Sequence, residues 1–151
     1  MNRSLNQATK DNPLKILLIE DSPTDALLLS AKLQEVTEFS FSMEHVETLA
    51  QGLKVDSASF DAVILDLSLP DSMGLATYQK LRESVDMAVP IIIVTGDDDR
   101  ATINDALTLG ADNYLVKDTF DGNRIAVAIL SSMKNRDNKL NTAQQRVLDR
   151  P

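Results

Sequence analysis

Four runs of branched apolar residues each lead straight into a residue that can do chemistry. Ile16-Leu17-Leu18-Ile19 is followed by Glu20-Asp21, Ala62-Val63-Ile64-Leu65 by Asp66, Ile91-Ile92-Ile93-Val94 by Thr95, and Tyr114-Leu115-Val116 by Lys117. If these runs are parallel strands, their carboxyl ends share one rim of a sheet, where open α/β sheets bind ligands. That rim would gather three carboxylates, a hydroxyl and an ammonium. Carboxylates packed together repel, and some take up protons unless a cation joins them. An all-oxygen set suits Mg²⁺, which keeps waters and uses one or two carboxylates together with phosphate oxygens. With the ammonium and the hydroxyl added, the set describes a site for a phosphoryl group beside a hard cation. Singly, each residue has a plainer role: an Asp after a strand is usually a turn or cap, a Lys a solvated charge, a Thr a helix cap. Their joint placement at the ends of separate strands carries the chemical reading.

The elements that must position these residues follow from pattern. Residues 1–13 read as a flexible leader ended by Pro13, and Leu14-Lys15-Ile16-Leu17-Leu18-Ile19 as a strand buried on both faces. Ser22 is a good N-cap, Pro23 suits the first helical position, and Asp25 sits in the first turn, near the positive helix end. Ala26, Leu29, Leu33 and Val36 at helical spacing then predict a helix ending near residue 37. Phe39, Phe41 and Met43 alternate with Ser40, Ser42 and Glu44, which predicts a half-exposed edge strand. A short helix is expected over residues 49–55, and another from after Gly74 to about residue 83. Pro90 opens the fourth strand, and a helix over residues 100–109 is closed by Gly110 at C′. A long last helix starts near Gly122. Strands alternating with helices five times predict an α/β fold with a parallel sheet.

Ala126, Met133, Leu140 and Val147 fall seven apart in that last helix, with Ile129 and Ala143 at d-like positions. The pattern predicts a weak coiled-coil stem over residues 135–151, interrupted by Arg136 and Arg150.

The 151 residues fit a single core, and 43% apolar with 25% charged residues is ordinary for a globular protein. No apolar stretch approaches the roughly 18 residues that span a bilayer, and residues 1–12 lack the apolar core of a secretory signal. No membrane association is expected. A net charge of −8 argues against direct nucleic-acid contact, which favours a basic face. With no cysteine, disulfides and thiolate metal sites are excluded. A cytoplasmic location is expected.

Over residues 14–134 the sequence resembles the response-regulator receiver domains of two-component signalling. Glu20-Asp21 resembles that family's metal-binding acidic pair. Asp66 resembles its acceptor aspartate, with Pro70 four and Gly74 eight residues later, and Thr95-Gly96 and Lys117 complete the set. The resemblance implies a flavodoxin-like (βα)5 doubly wound sheet, strand order 2-1-3-4-5, with an extended C-terminal helix. It implies that Asp66 takes a phosphoryl group from the phosphohistidine of a histidine kinase or phosphotransfer protein. Mg²⁺ would be ligated by Asp21, Asp66 and the Ser68 backbone carbonyl, with Glu20 acting through water. Lys117 would pair with Asp66 and then with a phosphoryl oxygen. Thr95 and Tyr114 would be the switch residues, the Thr95 hydroxyl drawn toward the phosphoryl and Tyr114 turning inward behind it. Ser68 and Asp97 would flank the attacking water and tune the phosphoryl lifetime. A phosphorylation-dependent homodimer and an output domain beyond the C-terminus are further expectations of the family. One departure stands out: the family usually has proline after the lysine, often cis, where this chain has Asp118, and a cis bond without proline costs about 3 kcal/mol.

Three other functions are weighed by the same residues. A phosphatase of the haloacid dehalogenase type needs a second aspartate two residues beyond the nucleophile as general acid–base, and Ser68 stands there. A flavodoxin-like FMN carrier needs a hydroxyl-rich phosphate loop where Glu20-Asp21 would repel the phosphate. A pseudo-receiver that only binds partners would have no need of the acid pair, Asp66, Thr95 and Lys117 together. His45, the only histidine, is assigned no role, and without a second histidine no zinc site is expected.

Overall fold

A computed structural model of the chain describes residues 12–148, with side chains through residue 138. Most of the expected leader, residues 1–11, lies outside the described residues, as does Arg150; the side chains of Leu140, Ala143 and Val147 lie outside the described set as well.

Five strands form one sheet: β1 (Leu14–Ile19), β2 (Phe41–Val46), β3 (Ala62–Leu65), β4 (Ile91–Thr95) and β5 (Asn113–Val116). All pair in parallel, in the expected order β2-β1-β3-β4-β5. The helices α1 (Pro23–Gln34), α2 (Leu49–Lys54), α3 (Leu75–Ser84), α4 (Arg100–Thr108) and α5 (Gly122–Leu148) alternate with them. Helices α1 and α5 pack on one face, against Ile16, Leu18, Ile64 and Ile92. Helices α2, α3 and α4 cover the other face, against Leu17, Ile19, Val63, Leu65 and Ile93. This two-sided cover is why the central strands are apolar without alternation: every residue of β3 and β4 is buried. No helix among the described residues is long and apolar enough to cross a membrane.

The caps and breaks act largely as the sequence predicts. Ser22 Oγ accepts from the Asp25 backbone N–H at 3.2 Å, and Pro23 takes the first turn of α1. Helix α1 stops at Gln34, short of residue 37, yet Val36 still packs into the core from the turn beyond. Strand β2 begins at Phe41, so Phe39 lies outside it. Two local features escaped the pattern: a two-residue antiparallel hairpin, Ser68–Leu69 with Ser72–Met73, and a 3-10 turn at Ser57–Ser59 capped by Asp56. Both are too short to produce a periodic signal.

The register sets up the rim. Ile19 pairs with Leu65, and Leu65 with Ile93, so Glu20 and Asp66 leave the sheet side by side. Thr95 pairs with Val116, one residue before Lys117. At the opposite end of the sheet, Arg136 of α5 grips the buried Asp112 carboxylate through Nε (2.7 Å) and Nη2 (3.1 Å), and Nη2 also reaches the Gly110 carbonyl. The arginine that interrupts the heptads therefore docks α5 on the domain.

Two glycines permit close packing. Gly122 opens α5 directly against the Lys32 carbonyl of α1, and Lys32 Nζ bonds the Phe120 carbonyl at 3.1 Å. A Cβ at Gly122 would collide with that backbone oxygen; one at Gly52 would meet the end of the Ile19 side chain, which can rotate. Gly122→Ala is therefore expected to cost about 1–3 kcal/mol in urea unfolding, the range for forced overpacking, and Gly52→Ala distinctly less. Equal losses would show that the α1–α5 approach is not fixed by backbone contact.

Candidate functional site

The Asp66 carboxylate is the centre of the rim. It is 3% exposed, held where β3 ends between β1 and β4. Its Oδ1 accepts from the Thr95 hydroxyl at 2.8 Å and from the Ser68 backbone N–H at 3.1 Å. Its Oδ2 accepts from Lys117 Nζ at 2.8 Å. Lys117 also pairs with Glu20 and, at 2.9 Å, with Asp25. The structure thus brings Glu20, Asp66, Thr95 and Lys117 into direct contact. Asp21 is exposed, yet one of its oxygens lies within 4.8 Å of ligand oxygens from Glu20 and Asp66. These three carboxylates could hold a hard cation.

The electrostatics match the crowding. Burial pushes the Glu20 carboxyl up to about 7, and the bond it shares with Asp66 pushes the same way, against the pull of Lys117. Burial alone would raise Asp66 too. There the bonds from Glu20, Lys117 and Thr95 win, and its carboxyl is held below the ordinary aspartate value. Burial would lower Lys117, but Asp66, Glu20 and Asp25 hold its ammonium above the usual lysine range. Asp66 is consequently ionised near neutrality, where Glu20 titrates.

The remaining expected residues lie around the same cleft. Ser68 and Asp97 line it, with the Ser68 hydroxyl 3.6 Å from Met73 Sδ and the Asp97 carboxylate accepting from the Asp99 N–H at 3.0 Å. Tyr114 is nearly buried, and its hydroxyl donates to the Asp97 backbone carbonyl at 2.7 Å. Burial, with the acidic neighbours Asp97 and Asp66 behind it, pushes its phenol up to about 12. Both Thr95 and Tyr114 lie inward, and the Asp66 carboxylate is a good acceptor for the Thr95 hydroxyl. No peptide bond among the described residues is cis, Lys117–Asp118 included, and Asp118 adopts a left-handed φ of 66°. Aspartate tolerates that region better than most residues.

Sequence reasoning missed three contributors. Asp25 reads as a first-turn acid of α1, but its carboxylate reaches the site. Asp71 accepts from the Leu49 and Ala50 N–H groups at 2.9 Å each, tying the loop after Asp66 to the start of α2. His45 Nε2 lies 2.5 Å from the Glu20 carbonyl, bracing the acidic turn from β2. For Asp25 the only available signal was its position one helical turn past the acidic pair. For Asp71 and His45 there was none.

Comparisons with known proteins agree with this geometry. Residues 16–130 match the profile of the response regulator receiver domain. The autoinducer 2 sensor kinase/phosphatase LuxQ of Vibrio vulnificus is 33% identical over 105 residues, which cover 69% of this chain and 12% of that protein. The TorCAD operon transcriptional regulatory protein TorR of Escherichia coli is 38% identical over 108 residues, covering 70% of this chain and 44% of TorR. The chain therefore spans less than half the length of either relative. A response regulator protein from Burkholderia pseudomallei, solved with a phosphorylated aspartic acid, a calcium ion and citrate, has the same fold. Its TM-score is 0.65 at 24% identity, over 91% of this chain and 75% of that one. On its sheet order and on a profile match running from β1 into α5, the chain belongs to the family of response regulator receiver domains.

Proposed function

We propose that Asp66 accepts a phosphoryl group from a phosphohistidine on a histidine kinase or phosphotransfer protein, and that this switches the domain. The observation that carries the reading is the convergence of Lys117, Thr95 and two further acids on one buried, ionised carboxylate. An Asp66 oxygen attacks phosphorus, the P–N bond breaks, and its electron pair leaves with the imidazole. Lys117 and Thr95 turn from the carboxylate to the phosphoryl oxygens. The chain supplies position and charge for a loose transition state, and the donor supplies the high-energy bond. Hydrolysis reverses the state: water attacks phosphorus between Ser68 and Asp97, the bond from phosphorus to the Asp66 oxygen breaks, and inorganic phosphate leaves as the Asp66 carboxylate is restored. The domain thus assists its own modification, and Ser68, two residues from Asp66, leaves no second acid–base group for turning over stable phosphoesters.

The residues fit Mg²⁺: the donors are hard oxygens, and burial together with the Asp66 carboxylate raises the Glu20 carboxyl to about 7 even though Lys117 pairs with both, so the cluster is short of positive charge. Asp21, Asp66 and the Ser68 carbonyl would hold it, with Glu20 through water. When bound, the ion supplies charge neutralisation for the phosphoryl oxygens. The phosphorylated aspartic acid and calcium ion of the Burkholderia protein support the reading by fold likeness.

The switch runs through the tethers on the β4–α4 loop. Thr95 fixes the start of that loop to Asp66, and the Tyr114 hydroxyl fixes its Asp97 carbonyl to β5. A phosphoryl group relocates the Thr95 hydrogen bond, and the loop shifts with it. A few kcal/mol between the two arrangements suffices. We infer that the output is carried by a homodimer or by a further domain; the chain spans 12% of LuxQ and 44% of TorR.

Incubation with Mg²⁺ and acetyl phosphate should add one phosphoryl mass to the wild type and none to Asp66→Asn. Steady phosphate release from generic phosphoesters would favour the phosphatase instead. A second expectation follows from Glu20. Its carboxyl is raised from 4.5 to about 7, so the folded chain binds more protons than the unfolded one between those values, and stability without metal falls as pH rises through them. Mg²⁺ must displace that proton at pH 6 but not at pH 8, a competition of about 1.4 kcal/mol per pH unit. Saturating Mg²⁺ should raise the melting temperature more at pH 8 than at pH 6, by roughly 3–6 °C. Glu20→Gln should flatten the difference; an unchanged difference in that variant would assign the proton elsewhere.

A further inference from the structure

Lys117 Nζ meets three carboxylates: it donates to Asp25 at 2.9 Å and to Asp66 at 2.8 Å, and it forms an ion pair with Glu20. The three partners are not equivalent. The side chains of Glu20 and Asp66 are 4% exposed, and that of Asp25 is 41% exposed. Asp25 also comes from a different layer: it projects from the first turn of α1, whereas the other two leave the sheet. A phosphoryl oxygen on Asp66 needs one of these N–H groups. Glu20 is buried, so an ion pair given up there is not replaced by water, whereas Asp25 can turn to water.

Resting on the phosphoacceptor reading above, we propose that Asp25 is a positioning residue, an exposed counter-ion that holds Lys117 toward α1 and restrains its transfer to the phosphoryl group. The Lys117–Asp25 ion pair belongs to the resting state and opens when an anionic phosphoryl group arrives. Asp25 therefore opposes loading in two ways: its ion pair must first break, and its freed charge stands at the mouth of the cleft. The same charge favours a cation. Asp25 thus shifts the balance of the site toward metal and away from phosphoryl, which separates it from a residue that only supports the fold.

The test uses Asp25→Asn and Asp25→Ala, with Asp98→Asn, an exposed acid of the β4–α4 loop, as the charge control. At saturating Mg²⁺, titration of ¹⁵N-labelled protein with beryllofluoride should show both Asp25 variants binding the anion about three- to fivefold more tightly, the scale of an exposed ion pair. Mg²⁺ alone should bind them roughly twofold more weakly, because one nearby charge is gone. In metal-free protein, the Lys117 ammonium hydrogens should exchange with water faster than in the wild type. The two substitutions guard against a folding defect in either one, and circular dichroism monitors both. Opposite shifts for anion and cation, larger than in Asp98→Asn, support the proposal. Equal shifts in Asp98→Asn, changes of one sign for both ligands, or unaltered Lys117 exchange overturn it while leaving the acceptor reading intact. A wild type that binds no beryllofluoride overturns both.

Discussion

Three carboxylates, from Glu20, Asp25 and Asp66, crowd one ammonium at the carboxyl rim of the sheet, with Asp21 beside two of them, and the rest of the structure answers to that crowding. Like charges brought out of water repel strongly, and one lysine cannot neutralise them all. The domain manages this by different means at each group. Burial and Asp66 raise the Glu20 carboxyl to about 7, Asp66 is held ionised by the bonds it accepts, Asp21 is exposed, and Asp25 is partly so. Such a site is short of positive charge, which a hard cation would supply. The sheet holds the repelling groups in place: β3 and β4, which present Asp66 and Thr95, are buried along their whole length.

The two ends of the sheet make a useful contrast. At the amino end, the buried Asp112 has both oxygens committed, to Arg136 through two bonds and to the Ile91 backbone N–H. Arg136 also reaches the Gly110 carbonyl and Arg82 lies 3.8 Å from the same carboxylate, so the contact fastens β4, β5 and α5 together. At the carboxyl end, Asp66 has an equally full set of bonds, but Lys117 and Thr95 are side chains that can follow a new oxygen. A buried carboxylate serves as a rivet where its donors are fixed and as a switch where they can be re-aimed.

Loops around the acceptor are held from a distance. Asp71 moors the segment after Asp66 to the start of α2, and the hairpin within that segment stiffens it. Tyr114 and Thr95 hold the loop on the other side from opposite ends. One flank is therefore pinned by backbone hydrogen bonds and the other by two hydroxyls. The flank with the hydroxyl tethers is the one able to move when the acceptor changes.

Much of this was legible in the chain before folding. The strand runs, the Ser22-Pro23 cap and the chemical residues at the strand ends are local patterns, and a parallel sheet converts strand ends into a common rim by its own geometry. The sheet order came from family resemblance, and the register agrees with it. What sequence could not supply were contacts whose partners come from different layers: Lys117 with Asp25 across 92 residues, Arg136 with Asp112 across 24, Leu49 with Asp71 across 22. Arg136 looked like a flaw in a heptad, and Asp25 like a helix-end charge, because periodicity records only which face a residue shares with its near neighbours. Which acid meets which base is decided by how helices dock on the sheet, and that depends on side-chain volumes summed over the whole core.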